Sequence, residues 1–230
     1  MPQPFTITPA SVLFEDNHLL ILNKPAGIAT MGTPQEKITL LDIAKKYIKQ
    51  KYSKPGNVYL GVVSRLDAPT TGVLPFARTS KAAARLTEQF RERTTEKRYL
   101  ALIEGHLDAP QWVRLTHWLG EDARHRKMHV VPQSKEGAKK AELEYRTHSI
   151  VGGNTLVEVR LLTGRKHQIR VQFAEKNLLI LGDRKYGSQV RWPAGIALHC
   201  WQLTLEHPVK REPLTLVAPP PKGMGQPSVD

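Results

Sequence analysis

Residues 59–77 read YLGVVSRLDAPTTGVLPFA, and this stretch shows the type of fold most clearly. The apolar runs Tyr59–Val63 and Gly72–Ala77 are typical of buried strands, whereas Ser64–Thr71 between them is polar. This order of strand, loop and strand places Arg65-Leu66-Asp67 at a sheet edge or on the loop that leaves it.

Apolar patterns on both sides of this stretch predict more strands than helices. Helical spacing begins after Thr39, a suitable N-cap, and recurs in Ser80–Arg93 and, over a shorter distance, from about His167 to Lys176. Further strands are predicted around residues 12–14, 19–22, 99–103, 112–119, 143–150, 155–162 and 198–205. Because strands and helices do not alternate strictly, we expect an α+β fold with a mixed, largely antiparallel central sheet and flanking helices.

The chain shows no internal repeat and no linker that would divide it into halves. We therefore expect a single domain over residues 11–218, preceded by an N-terminal extension at 1–10. The Pro- and Gly-rich residues 219–230 are expected to form a disordered tail.

Charge is the strongest signal in the composition. The 230 residues include 34 Lys and Arg against 21 Asp and Glu, a formal net charge of +13. Such an excess favours a polyanionic partner, nucleic acid ahead of membrane, although a soluble protein can also simply be basic. No apolar run approaches the roughly 18 to 20 residues of a membrane span, residues 1–9 lack signal-peptide features, and the lone Cys200 cannot form an intramolecular disulfide. We expect a cytoplasmic protein.

Asp67 has two interpretations. It could cap the turn that Pro69 and Gly72 favour, through the amides of its neighbours. In so cationic a chain it could instead pair with an arginine, which would hold the carboxylate ionised and oriented, as a nucleophile requires.

A second cluster lies at residues 162–171, which read LTGRKHQIRV. Arg165, Lys166 and Arg170 stand near a predicted helix start, where the helix already carries partial positive charge, so a carboxylate or a phosphate is expected nearby. Arg165 and Arg170 are five residues apart and should serve different partners. A solvated basic turn explains the pattern equally well.

Two further basic sets can be explained by solvation or by RNA contact; the two explanations are balanced for the first set, and the net charge favours contact with the RNA backbone for the second. Lysines cover the polar face of the helix after Thr39, and other cations lie between two predicted strands. The first set is Lys45, Lys46, Lys49 and Lys51, and the second is Arg124, Arg126, Lys127, Lys135, Lys139 and Lys140.

The sequence gives no sign of a metal or a cofactor. No His or Cys pair has convincing ligand spacing, since His125 and His129 lack a third ligand beside them. The chain also lacks a Walker-type loop, a G-x-G-x-x-G element and a G-x-S-x-G elbow.

Taken together, these stretches resemble the RluA-type pseudouridine synthase family over nearly the whole chain, from about Val12 to Ala218. Each motif alone is weak, but six occur in the right order. They are Asn23–Gly27; Arg65-Leu66-Asp67 with Thr70-Thr71-Gly72; Lys97-Arg98-Tyr99 with Ala101 and Gly105; Thr163–Arg170; Gly182-Asp183 with Tyr186-Gly187; and Leu198-His199 with His207-Pro208.

The resemblance implies a catalytic domain that isomerises uridine in ribosomal or transfer RNA to pseudouridine, without cofactor or metal. It implies Asp67 as the catalytic carboxylate, Tyr99 as the ring that packs on the uracil and assists proton removal from C5, and Arg170 as the partner of Asp67. Arg65 would displace the target nucleotide from its stack. The other residues expected to contact the substrate are Leu66, Thr71, Arg165, His167 and Gln168.

The chain departs from the family pattern beside the catalytic residue. Ser64 stands where the family usually has His, and Ala68 where a charged residue is more common, which affects base displacement and substrate preference more than the chemistry. The rival hypotheses are a catalytically silent RNA-binding protein or RNA chaperone on the same fold, and a nucleoside or glycoside hydrolase, for which a second placed carboxylate is missing. We expect a monomer.

Overall fold

The computed structural model describes residues 5–32, 38–193 and 195–225. The chain forms two compact units: the first contains Met1–Thr95 and Gln202–Ala218, and the second contains Glu96–Trp201 and Pro219–Asp230. Both contain strands and helices, so the predicted α+β class is confirmed. The domain bounds expected from the sequence stay a prediction.

The helices and strands fall close to the predicted positions, except for two strands at 127–130 and 213–217 that were not predicted. The α-helices are α1 (Leu40–Lys51), α2 (Ser80–Glu92) and α3 (Gln168–Glu175), and short 3₁₀ helices lie at Pro9–Ser11 and Arg184–Tyr186. The strands are β1 (Val12–Glu15), β2 (Leu19–Lys24), β3 (Gly61–Val62), β4 (Thr71–Ala77), β5 (Glu96–Ile103), β6 (Val113–Asp122), β7 (Lys127–Val130), β8 (Lys139–Val151), β9 (Asn154–Leu161), β10 (Leu198–Glu206) and β11 (Pro213–Val217).

The first unit is built around β2, which pairs antiparallel with β1 on one side and β4 on the other. Residues 19–22 are fully buried and all of β4 is buried, as expected of strands covered on both faces. Helix α1 begins at Thr39, whose side chain accepts from the Asp42 amide while the Asp42 carboxylate accepts from the Thr39 amide. The apolar face of α1 then buries Leu40, Ala44 and Ile48.

Helix α2 packs so closely on β3 that only glycine fits at position 61. A Cβ on Gly61 would lie 2.8 Å from the Cβ of Ala83 and 2.9 Å from the hydroxyl oxygen of Tyr59. This contact fixes β3, and therefore the start of the loop 63–70 that carries Asp67. The strand predicted over Tyr59–Val63 shrinks to the two residues Gly61–Val62, which pair with the end of β4.

The second unit contains an antiparallel sheet in the order β5-β9-β8-β6-β7. Strand β7 was not expected from the sequence, because it lies inside the charged segment 121–140 and alternates the polar Lys127 and His129 with Met128 and Val130. Met128 packs in a buried cluster with residues of β6, β8, α3 and the 3₁₀ helix at 184–186. Its other buried members are Leu119, Ala141, Val171 and Tyr186.

The described part of the tail expected to be disordered, residues 219–225, differs from that expectation. Met224 is fully buried, and its amide donates to the Pro221 carbonyl in a turn. A Cβ on Gly225 would lie 2.9 Å from Val151 of β8. The physical reason is that burying the Met224 side chain stabilises the ordered turn, which composition alone does not reveal. Residues 226–230 lie outside the described residues.

Candidate active site

The loop 63–70 of the first unit is held by the chain that leaves β2. The fully buried ammonium of Lys24 donates to the carbonyls of Pro25 at 2.9 Å, Ala68 at 3.0 Å and Thr70 at 2.8 Å. The Thr30 hydroxyl donates to the Leu66 carbonyl at 2.9 Å and accepts from the Leu66 amide at 3.2 Å. The backbone is therefore fixed on both sides of Asp67, as pre-organised chemistry requires.

The backbone of Asp67 closes the turn that follows it. Its carbonyl accepts from the Thr70 amide at 3.0 Å, and the Ala68 carbonyl accepts from the Gly27 amide at 2.8 Å. Arg65 is exposed, Leu66 is buried, and Thr71 is the buried first residue of β4. The predicted site residues of this unit thus occupy one loop and the start of one strand.

Lys24 also faces the charge of Asp67. Burial lowers the pKa of Lys24 from 10.5 to about 7, and the Asp67 carboxylate acts in the opposite direction. Because an ammonium has three protons, the three carbonyls can use all of them. The Asp67 carboxylate thus acts on the charge state of Lys24 within its own unit.

In the second unit, the turn before α3 is organised by Gln168. Its side-chain oxygen accepts from the Thr163 hydroxyl at 2.8 Å and the Arg165 amide at 3.0 Å, and its nitrogen donates to the Glu142 carbonyl at 3.0 Å. Gln168 is 3% exposed. The structure thus gives this residue a role in shaping the turn, where the resemblance implies a contact to substrate.

Arg165 and His167, which were also predicted to contact substrate, have different partners. The Nε of Arg165 donates to the Lys140 carbonyl at 3.0 Å, which ties the turn to β8. His167 adopts the left-handed conformation, with φ 53°, and its Nδ1 lies 2.9 Å from the Tyr186 hydroxyl. Both side chains are partly exposed.

Arg170 forms a buried, bidentate ion pair with Asp183. Its Nε donates to one carboxylate oxygen at 2.7 Å and its Nη2 to the other at 2.8 Å, with the side chains 5% and 2% exposed. The resemblance implies Asp67 as the partner of Arg170. Asp67 belongs to the first unit and Arg170 to the second, so that pairing stays a prediction.

Tyr99 lies in β5, opposite Val159 of β9, and is 5% exposed. Two residues earlier, burial lowers the pKa of the Lys97 ammonium, and the Cys200 thiol acts in the opposite direction. Between them, Arg98 forms ion pairs with Glu96 and Glu158. The K-x-Y element thus lies on a rigid strand.

Four residues that organise these sites were given no role by the sequence: Lys24, Thr30, Asp183 and Tyr186. Three of them belong to motifs that carry the resemblance, and this was the available signal. Thr30 lies outside the motifs, and only the structure places its hydroxyl beside Leu66.

Two classes of feature are absent from the described residues. In the ranges 5–32, 38–193 and 195–225, no three His, Cys, Asp or Glu side chains lie close enough to hold a metal ion. Over the same ranges, no helix has the length and apolar composition needed to cross a membrane.

Comparisons with known proteins agree on one family. The model of the RNA pseudouridylate synthase family matches residues 18–175. Ribosomal large subunit pseudouridine synthase D of Nitrosomonas europaea is 36% identical over 227 residues, which cover 94% of this chain and 63% of the relative. The dual-specificity RNA pseudouridine synthase RluA of Haemophilus influenzae is 31% identical over 211 residues, covering 90% and 91%. The solved structure of human RNA pseudouridylate synthase domain containing 4 matches with a TM-score of 0.74 and 26% identity, covering 92% of this chain and 89% of the other.

Proposed function

Because the chain belongs to the RluA-type RNA pseudouridylate synthases, we propose that it isomerises uridine in RNA to pseudouridine. One observation carries the proposal: the Arg65-Leu66-Asp67 element lies in the family-matched region, on a loop whose backbone is fixed by Lys24 and Thr30. A reacting carboxylate needs such fixation, since small misplacements cost large factors in rate.

In the proposed reaction, the C1′–N1 bond of the nucleotide breaks and a C1′–C5 bond forms. The ionised Asp67 either attacks C1′ and is released again when C5 bonds to C1′, or takes a proton from the sugar and returns it after the C1′–C5 bond has formed. In both routes the detached uracil rotates while Tyr99 keeps it in place. The proton on C5 leaves, assisted by Tyr99, and N1 gains a proton, so product and substrate have the same composition. Arg170 is proposed to keep Asp67 ionised.

Access to the base is assigned to Arg65. The target must leave its stack, which costs a few kcal/mol, and the exposed side chain of Arg65 is suited to fill the vacated space. Leu66, Thr71, Arg165, His167 and Gln168 are proposed to contact the nucleotide. The net charge of +13 supports binding through phosphates.

We propose ribosomal RNA as the substrate, because the names of two relatives refer to the large ribosomal subunit. Transfer RNA is the second candidate. An RNA substrate of this kind implies a cytoplasmic location. A monomer is also expected, and light scattering would measure it. Pseudouridine maps of RNA from cells with and without the gene would identify the uridine.

The decisive experiment uses the purified protein and RNA from cells that lack the gene. Wild type should form pseudouridine, measured by release of tritium from C5-labelled uridine, and D67A and D67N should form none while still binding RNA. The matched control D108N removes an exposed carboxylate and should be fully active. Activity in either Asp67 variant would exclude the mechanism. RNA binding by an inactive wild type would favour the silent RNA-binding protein, and release of free uracil would favour a hydrolase.

A further inference from the structure

The backbone of Asp183 is held in place by the turn in which it lies. The Asp183 carbonyl accepts from the amides of Tyr186 at 2.9 Å and Ser188 at 3.2 Å, which closes the 3₁₀ helix at 184–186 around it. The preceding Gly182 has φ 83°, and a Cβ there would lie 2.6 Å from the Cβ of Trp192. Only glycine satisfies both conditions, so the backbone that carries Asp183 has little freedom.

The guanidinium of Arg170 is constrained in its plane and on its face. The Asp183 carboxylate engages Nε and Nη2, a fork that fixes the plane of the group. The Tyr186 ring lies against the guanidinium, with its centroid 5.1 Å from the Arg170 Cζ. The ring is itself fixed, because its hydroxyl accepts from the Met128 amide at 3.0 Å.

We propose that Asp183 is a positioning residue for the reaction, which acts by setting the orientation of Arg170 so that the guanidinium can serve as counter-charge to the catalytic carboxylate. This rests on the proposed function, in which Arg170 keeps Asp67 ionised. Asp183 also balances the charge of Arg170, which burial would otherwise make costly. A carboxylate at this position therefore does more than stabilise α3.

A matched control separates positioning from stability. Glu158 of β9 is also 2% exposed, and it also pairs with arginines, Arg98 and Arg146, in the same unit but away from α3. Thus D183N and E158Q each remove one buried negative charge that pairs with arginine. We expect D183N to lower kcat at least tenfold with KM within twofold of wild type, and E158Q to leave kcat within twofold. D183E, which restores the charge, should recover part of the lost kcat.

The orientation of Arg170 can also be measured without activity. In a ¹⁵N-edited NMR spectrum, the Nε–H of Arg170, assigned with R170K, should exchange with water far more slowly than that of Arg91, which is exposed. D183N should lose this protection and E158Q should keep it. Fast exchange in wild type, or equal losses of kcat in D183N and E158Q, would overturn the proposal. An inactive wild type with a protected Nε–H would instead count against the proposed function alone. If D183N fails to fold, the exchange rate of the Arg170 Nε–H in wild type decides whether Asp183 holds the guanidinium.

Discussion

The buried ammonium of Lys24 should make the stability of the protein depend on pH, and K24M should remove that dependence. Below pH 7 the lysine is protonated in both the folded and the unfolded chain, so the cost of burying its charge is fully present. Between about pH 7 and 10.5 the folded chain has lost the proton and the unfolded chain retains it. The unfolded state then binds more protons, so the contribution of Lys24 to the free energy of unfolding rises with pH.

The size of the effect follows from the two pKa values, 10.5 and about 7. Their difference of about 3.5 corresponds to about 5 kcal/mol over the whole interval, of which roughly 3 kcal/mol falls between pH 7 and 9.5. At pH 7 alone, the argument does not predict whether K24M is more or less stable than wild type. K24M relieves the burial of a charge but leaves three carbonyls without a donor, and each costs on the order of 1–3 kcal/mol.

The assay is urea unfolding of wild type and K24M at half-unit steps from pH 6 to 9.5. The difference between their free energies of unfolding should stay constant up to about pH 7 and then rise in favour of wild type by roughly 3 kcal/mol. The control K46M removes an exposed lysine of α1, and its difference from wild type should stay level. A level difference for K24M as well would mean that Lys24 remains an ammonium throughout, and the argument from burial would be wrong.

Three other predictions follow from the contacts described. T30V removes both hydrogen bonds to Leu66 at nearly constant volume, and should lower the free energy of unfolding by about 1–2 kcal/mol, as calorimetry would measure. Because the backbone beside Asp67 is then less well fixed, T30V should also change kcat by a larger factor than KM, with kcat falling, in steady-state kinetics. K46Q combined with K49Q should reduce the slope of log K for RNA binding against log salt by about 1–2 without changing kcat, whereas an unchanged slope would mean a solvated helix face. Burial acts to raise the pKa of Asp16, but the hydrogen bonds from the amides of the β1–β2 turn outweigh burial, and the pKa is lowered. Wild type should therefore be more stable than D16N near pH 7, and this advantage should disappear as the pH falls below about 4. Thermal unfolding of both proteins would measure the difference.

Local signals in the sequence were sufficient for helices α1 and α2 and for the β1–β2 hairpin of the first unit. Thr39 and Asp42 form the capping interaction at the start of α1, and Thr79 accepts from the Ala82 amide at the start of α2. Such interactions join residues three positions apart, so their pattern is visible in the sequence. The β1–β2 hairpin is equally local.

Strand β7 and the partner of Arg170 could not be predicted in this way, because they depend on contacts between residues far apart in the sequence. Strand β7 consists of Lys127–Val130, and its pairing with β6 and the burial of Met128 become favourable only when α3 covers them. The partner of Arg170 lies 13 residues further along the chain, and a left-handed Gly182 brings it back. For such residues, motif order showed that they matter, and only the three-dimensional contacts showed how.

The grip of Lys24 and Thr30 on the loop reaches only main-chain atoms: three carbonyls, and the amide and carbonyl of Leu66. At position 68 these contacts use the carbonyl, and the Ala68 side chain is only a methyl group, so exchanging this residue leaves the bonds in place. We expect single substitutions at position 68 to change the preference for the surroundings of the target nucleotide without moving the backbone that carries Asp67. For enzyme engineers, this position is where a library should begin.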